Sequence, residues 1–210
     1  MATTPDMTRL LHLLEMKLPG ASKAGIKAEL YETVSEFFRD SSSWVEKIQV
    51  NVVAGTTEYE LTPSVGQVIR LWGVVDANNL PIAAVMPTVG TLRLGYTPNQ
   101  NATFFAYAVL NVTLPTDSDK LPVLPDWLLQ LYTHVILDGT LGRMYGQPQK
   151  TYTNDQLMAY HLRRFRDGVA MARVATIRAN TVGTQNWQYP RQFKTQSQRG
   201  AVSVGNTQGF

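Results

Sequence analysis

Three histidines, His12, His134 and His161, are the first side chains to test for chemistry, because imidazole is the side chain whose ordinary titration falls near neutral pH. Each lies inside a helical pattern and reads most simply as a core-edge or surface histidine. Glycoside cleavage would need two carboxyl groups about 5 to 10 Å apart. The sequence could supply them only from distant positions, Glu58 or Glu60 with Asp117 or Asp119. Glu58 and Glu60 alternate with Tyr59 and Leu61, which predicts the solvent face of a strand. The spacings HExxH, GxxxxGK[ST] and GxSxG do not occur, nor does GxGxxG followed by an acidic residue. The glycines of GTLGRMYG (139–146) sit within a helical pattern, so close helix packing explains them better than a phosphate cradle. With no cysteine, disulfides and thiolate metal sites are excluded. No catalytic residue, cofactor or metal is therefore expected, and the function is expected to be non-enzymatic.

The elements that would carry such residues follow from periodicity. Met7, Leu10, Leu11, Leu14 and Leu18 share one face of a helix over about 8–18, which Pro19-Gly20 stops. Ser22 is the expected N-cap of a second helix over about 23–39, with Ile26, Leu30, Val34 and Phe37 as its apolar stripe. Asp40-Ser41-Ser42-Ser43 ends it, because these side chains compete for backbone hydrogen bonds. The period then changes to two. Ile48, Val50 and Val52, a turn at AGTT, then Tyr59 and Leu61 predict a hairpin. Residues 68–75 predict a more buried strand, DANN (76–79) a turn, and Leu80 to Met86 its partner. Residues 87–101 look loop-like, and Thr103 to Leu114 predict another strand. Pro125 and Asp126 open a third helix over about 126–145, where Gly139 and Gly142 imply a closely packed neighbour. A fourth, over about 153–179 and capped by Thr153 or Asn154, carries the seam Met158, Leu162, Phe165, Val169 and Ala172. The expected fold is α+β: an antiparallel four-helix bundle interrupted by a small antiparallel β-sheet over about 46–114. Residues 1–180 make that domain, and 181–210 form an extended C-terminal arm.

Charge is unevenly spread. Residues 1–155 carry 11 Lys and Arg against 15 Asp and Glu, a net −4, while residues 156–210 carry 8 against 1, a net +7. Such a chain invites an acidic partner, either nucleic acid or the acidic body of another copy. Arg163, Arg164, Arg166, Arg173 and Arg178 spread over the polar circumference of the last helix; a solvated face is one reading, contact with an acidic neighbour another. Residues 181–210 contain no Asp or Glu and bring Trp187, Tyr189 and Phe193 together with Arg191, Lys194 and Arg199, with Phe210 beyond. Aromatic and Arg residues are the ones that dominate interface hot spots. An arm that becomes ordered on another subunit is the favoured reading, and Pro190 with the glycines disfavours regular structure there. Residues 1–20 are interrupted by Arg9, His12, Glu15 and Lys17, so no signal peptide is expected, and no membrane span either.

Three stretches carry a resemblance: FFRDSSSW (37–44), the hairpin VNVVAGTTEYELTP (50–63), and residues 121–180, beginning LPVLPDW and including Phe165 and Gly168. Over about 26–180 the chain resembles the head-to-tail adaptor, or connector, proteins of tailed bacteriophages, the short-tailed ones in particular. That resemblance implies a structural virion protein, made in the host bacterial cytoplasm and placed at the head–tail interface. It implies a homo-oligomeric ring, usually twelve-fold, beneath the portal protein ring. The ring would extend the channel for passing genomic DNA, without sequence-specific binding, and present a surface to a tail nozzle or tube protein. The arm would then dock on the portal or on a neighbouring subunit. The alternative is a nucleic-acid-binding module that uses the basic last helix and tail.

Overall fold

Local patterning decides most of the elements. The computed structural model describes residues 8–113 and 124–180. α1 (Thr8–Lys17) buries Leu10, Leu11 and Leu14. α2 (Lys23–Ser41) begins at Ser22, whose hydroxyl accepts from the Gly25 N–H, and ends at Ser42 in the left-handed region (φ 52°). α3 (Asp126–Tyr145) starts directly after Pro125, whose missing N–H costs nothing at a helix start. α4 (Asp155–Asn180) is capped by Asn154, which accepts from the Leu157 N–H. The other candidate cap, Thr153, instead ties the preceding turn together through Lys150 and Gln147.

Among the described residues seven strands form two antiparallel sheets. The first, in the order β1-β7-β3-β4, contains β1 (Val45–Val52), β3 (Gln67–Val75), β4 (Pro81–Ile82) and β7 (Ala102–Asn111). The second, β2-β6-β5, contains β2 (Glu58–Glu60), β5 (Ala84–Thr88) and β6 (Thr91–Leu94). The expected hairpin across AGTT does not form. β1 pairs along its whole length with β7, from Val45 opposite Val109 to Val52 opposite Ala102. β2 pairs with β6, a short strand inside the stretch expected to be loop. The partner expected for β3 breaks in two: Pro81–Ile82 pairs with Val74 and Val75, and the chain then crosses into the second sheet as β5.

The expected four-helix bundle is corrected by this arrangement. The class is α+β, but the architecture is four helices with two sheets, and the helices do not close a bundle. One core is built by α1, α2 and α3, with Phe37, Phe38, Leu128, Ile136 and Met144 at its centre. A second core lies between the sheets, with Ile48, Leu92, Phe104 and Leu110 among its residues. Trp44, between α2 and β1, packs against both. Among its described side chains, α4 gives the helical core two that are buried, Phe165 and Ala172. A helix that buries one narrow seam leaves the rest of its circumference outside any bundle.

That seam shows why α3 carries glycines. Met158 meets Gly146, Leu162 meets Gly142, Phe165 meets Gly139, and Val135 meets Gly168, so the two helices run antiparallel. A Cβ at Gly139 would stand 2.6 Å from Phe165 Cδ2, and one at Gly168 would stand 2.6 Å from Val135 Cγ2. Both are closer than carbon atoms can pack. Polar contacts lock the same elements together. Arg143 of α3 pairs with Glu29 and Glu36 of α2, and Asn111 at the end of β7 donates to Ser35 of α2 at 2.9 Å.

Candidate interaction surfaces

The arginines of α4 divide into groups with different surroundings. Arg164 is engaged within the chain: it reaches the Asp138 carboxylate of α3 at 3.1 Å and donates to the Tyr160 hydroxyl at 2.9 Å. The Tyr160 hydrogen bond and then the Asp138 charge push its guanidinium further above its already high range. Asp138 also binds His161 Nδ1 at 2.8 Å, and the His161 ring stacks on Tyr145 at 5.6 Å. His161 is thus a structural joint between α3 and α4. His12 and His134 are exposed. Among the described residues no group of three His, Asp or Glu side chains is placed to hold a metal.

Arg166 and Arg173 are seven residues apart, which puts them only roughly 20° apart around the helix. They line a cleft of about 380 Å³ whose other cationic walls are Arg39 of α2 and Arg70 of β3. Its apolar lining is Phe165, Val169 and Ala170. Two carboxylates border it: Asp40 pairs with Arg39, and Glu36 shares Arg143 with Glu29. Arg70 donates to the hydroxyl of Ser42, the residue held in the left-handed region at the end of α2. Neither Arg166 nor Arg173 makes a hydrogen bond or ion pair among the described residues. The cleft therefore carries three guanidinium groups, from Arg70, Arg166 and Arg173, that make no ion pair among the described residues. Arg163 and Arg178 are exposed elsewhere on α4.

The outer side of α4 is apolar as well as basic. Leu157, Tyr160, Met171 and Val174 are exposed, Met171 to 73%. At 100° per residue these four fall within roughly 100° of one another, on the side away from the Phe165 seam. A second exposed apolar set lies on the other sheet. Val85 and Val89 stand out from β5 and its turn, Val89 to 70%, beside Glu58 and Glu60 of β2. Glu58 pairs with Arg93, whereas Glu60 has no ion-pair partner among the described residues. As expected of a strand's solvent face, both glutamates are exposed.

Arg39 and Arg70 were not singled out by sequence reasoning. A usable signal existed for Arg70, a cation in the middle of the apolar run VIRLW. None existed for Arg39, which looks like an ordinary C-terminal helix cation. Trp187, Tyr189, Arg191, Phe193, Lys194, Arg199 and Phe210 lie outside the described residues, as do Asp117 and Asp119. No protein-family model matches this sequence, and no curated protein is significantly similar to it. Among the described residues no helix is long and apolar enough to cross a membrane.

Proposed function

We propose that this protein is a structural assembly subunit of the head-to-tail adaptor kind, joining copies of itself into a ring between a portal ring and a tail component. The observation that supports this reading is the outer side of α4. It exposes Leu157, Tyr160, Met171 and Val174, with exposed Arg163 beside them. An apolar surface rimmed by arginine is what a subunit interface looks like before its partner arrives. The arm at 181–210 adds aromatic anchors. Its ordering costs roughly 1–2 kcal/mol per residue fixed, and burial of Trp187, Tyr189 and Phe193 would have to offset this. Ring presentation helps, since many weak arms engage together. In this reading the free chain is a monomer that closes into a ring only on its template.

The test is co-sedimentation with the portal ring of the same virus, comparing the full chain with one lacking 181–210. Binding by the full chain alone makes the arm the portal strap. Equal binding by both assigns the joint to the folded part. Failure of both removes the adaptor reading.

The three unmatched arginines of the cleft favour a second reading, a nucleic-acid-binding surface. Phosphate contacts release counterions, so affinity for duplex DNA would fall steeply with salt, by a slope of about 0.9 per phosphate neutralised. A flat salt profile removes that reading.

A further inference from the structure

We infer that the arginine cleft is the receiving half of a contact between copies of this chain, and that the delivering half is the edge of the second sheet, with Val89 at its apex and Glu60 beside it. The inference rests on the ring-subunit reading and names the two surfaces that would build the ring.

The receiving half has a cationic rim and an apolar floor. Arg70, Arg166 and Arg173 make no ion pair among the described residues, and Val169 and Ala170 line the cleft with them. Three like charges converging on one cleft repel each other until an anion arrives, and a cleft with low-dielectric walls strengthens that demand. The carboxylates of Glu36 and Asp40 at the same rim are a poor fit to a polyanion, whose phosphates would have to pass them. A protein segment with one apolar side chain and a flanking carboxylate meets both requirements.

The delivering half has those properties in reverse. Val89 occupies the tight turn between β5 and β6, where polar turn formers are the usual choice, and it stands 70% exposed. The Leu61 N–H bonds the carbonyl of Gly90, which sets the end of β2 directly beside that turn. Glu60, opposite Thr91 in the ladder, is therefore next to Val89 and has no ion-pair partner among the described residues. β2 is three residues long and lies at the edge of its sheet.

The two halves belong to different elements, so a contact between them joins one patch to a different patch on the next copy. Such a heterologous contact generates a ring when the rotation closes. Opposite charge fixes the register and speeds encounter.

The chain contains no cysteine, which makes the contact directly testable. A disulfide requires Cα atoms within about 7 Å of each other. In the full chain, Val89→Cys and Ala170→Cys are introduced separately and together, then oxidised in free solution and on the portal ring. Mixing the two single variants should give a crosslinked dimer that neither gives alone, and the double variant should give a ladder of multimers. Adding Arg166→Glu and Arg173→Glu to the double variant should reduce the ladder on the order of tenfold or more. Both arginines are at the surface, and an unchanged thermal melt verifies that the fold survives. No ladder in either setting overturns the inference, and so does a ladder indifferent to the arginine changes. It is also overturned if the arginine changes abolish duplex DNA binding and leave the ladder intact, since the cleft then serves phosphates. A ladder without portal co-sedimentation defeats only the adaptor reading, and co-sedimentation without a ladder defeats only this contact.

Discussion

α3 and α4 lie antiparallel along one glycine-lined seam, yet they use the rest of their surfaces in opposite ways. α3 is packed on two sides. Its Leu128, Val135, Ile136 and Met144 enter the core with α1 and α2, Arg143 pairs with α2, and its glycines receive α4. α4 buries Phe165 and Ala172 and leaves Met171, Val174, Tyr160 and several arginines outside. One helix makes most of its contacts within the chain, with Leu131 left exposed, and the other holds most of its circumference open. The lesson is that a helix can be firmly seated along one seam and still leave apolar side chains exposed on its other side.

The seating itself is the easiest part to break. Phe165 is 2% exposed and is the largest buried side chain that α4 contributes. Phe165→Ala should cost about 3–5 kcal/mol, read from the midpoint of chemical denaturation. A cost below about 1 kcal/mol would mean that the seam does not anchor α4, and the contrast between the helices would collapse. Next comes the glycine side of the same seam. Gly139→Ala forces a methyl group against Phe165 and Thr33. Overpacking of this kind costs about 1–3 kcal/mol. Alanine's better helix propensity returns at most about 1 kcal/mol of that. Stabilisation by Gly139→Ala would show that the two helices are farther apart than described.

The seam was legible in the sequence because its signal is local on each helix. Gly139 and Gly142 announce a close neighbour, and the Met158 to Ala172 spacing announces the stripe that fills it. Helix starts were legible for the same reason, since Ser22 and Pro125 act within one turn. The sheets were not. β1 looks like half of a hairpin with β2 because alternation gives a strand's faces but not its partner. Its true partner, β7, is chosen by a ladder running the full length of both strands. β6 was hidden because four residues, TLRL, lie between Gly90 and Gly95 in a stretch rich in turn formers. The bundle was over-called because an apolar seam shows that a helix packs on something, not that it packs on two neighbours. As for the site, the arginines of α4 were visible individually, but the cleft is assembled from three elements distant in sequence.

A smaller effect probes the polar joint between the helices. Asp138→Asn keeps the shape but removes the charge that meets both His161 and Arg164. Arg164 is about half exposed, so solvent discounts its share. A loss of about 1–2 kcal/mol is expected in denaturation at neutral pH. No loss would leave the glycine seam as the whole of the joint.

The smallest expected effect on stability is also the sharpest test of the contrast. Met171→Ser with Val174→Ser replaces two exposed apolar side chains on the open side of α4. Surface changes away from packed features usually stay within about 0.5 kcal/mol each. The isolated chain should therefore melt almost as before. Assembly should respond differently, because on a partner each of these side chains would be buried and would lose roughly 25 cal/mol for every Å² of apolar area removed. If the proposed ring reading holds, sedimentation of the full chain on the portal ring should weaken while the melting curve stays put. If both stay put, the open side of α4 faces water in every state, and any assembly must rest on other surfaces such as the arginine cleft. If the melting curve falls instead, Met171 and Val174 are packed against the chain's own residues, and α4 is a second fully seated helix like α3.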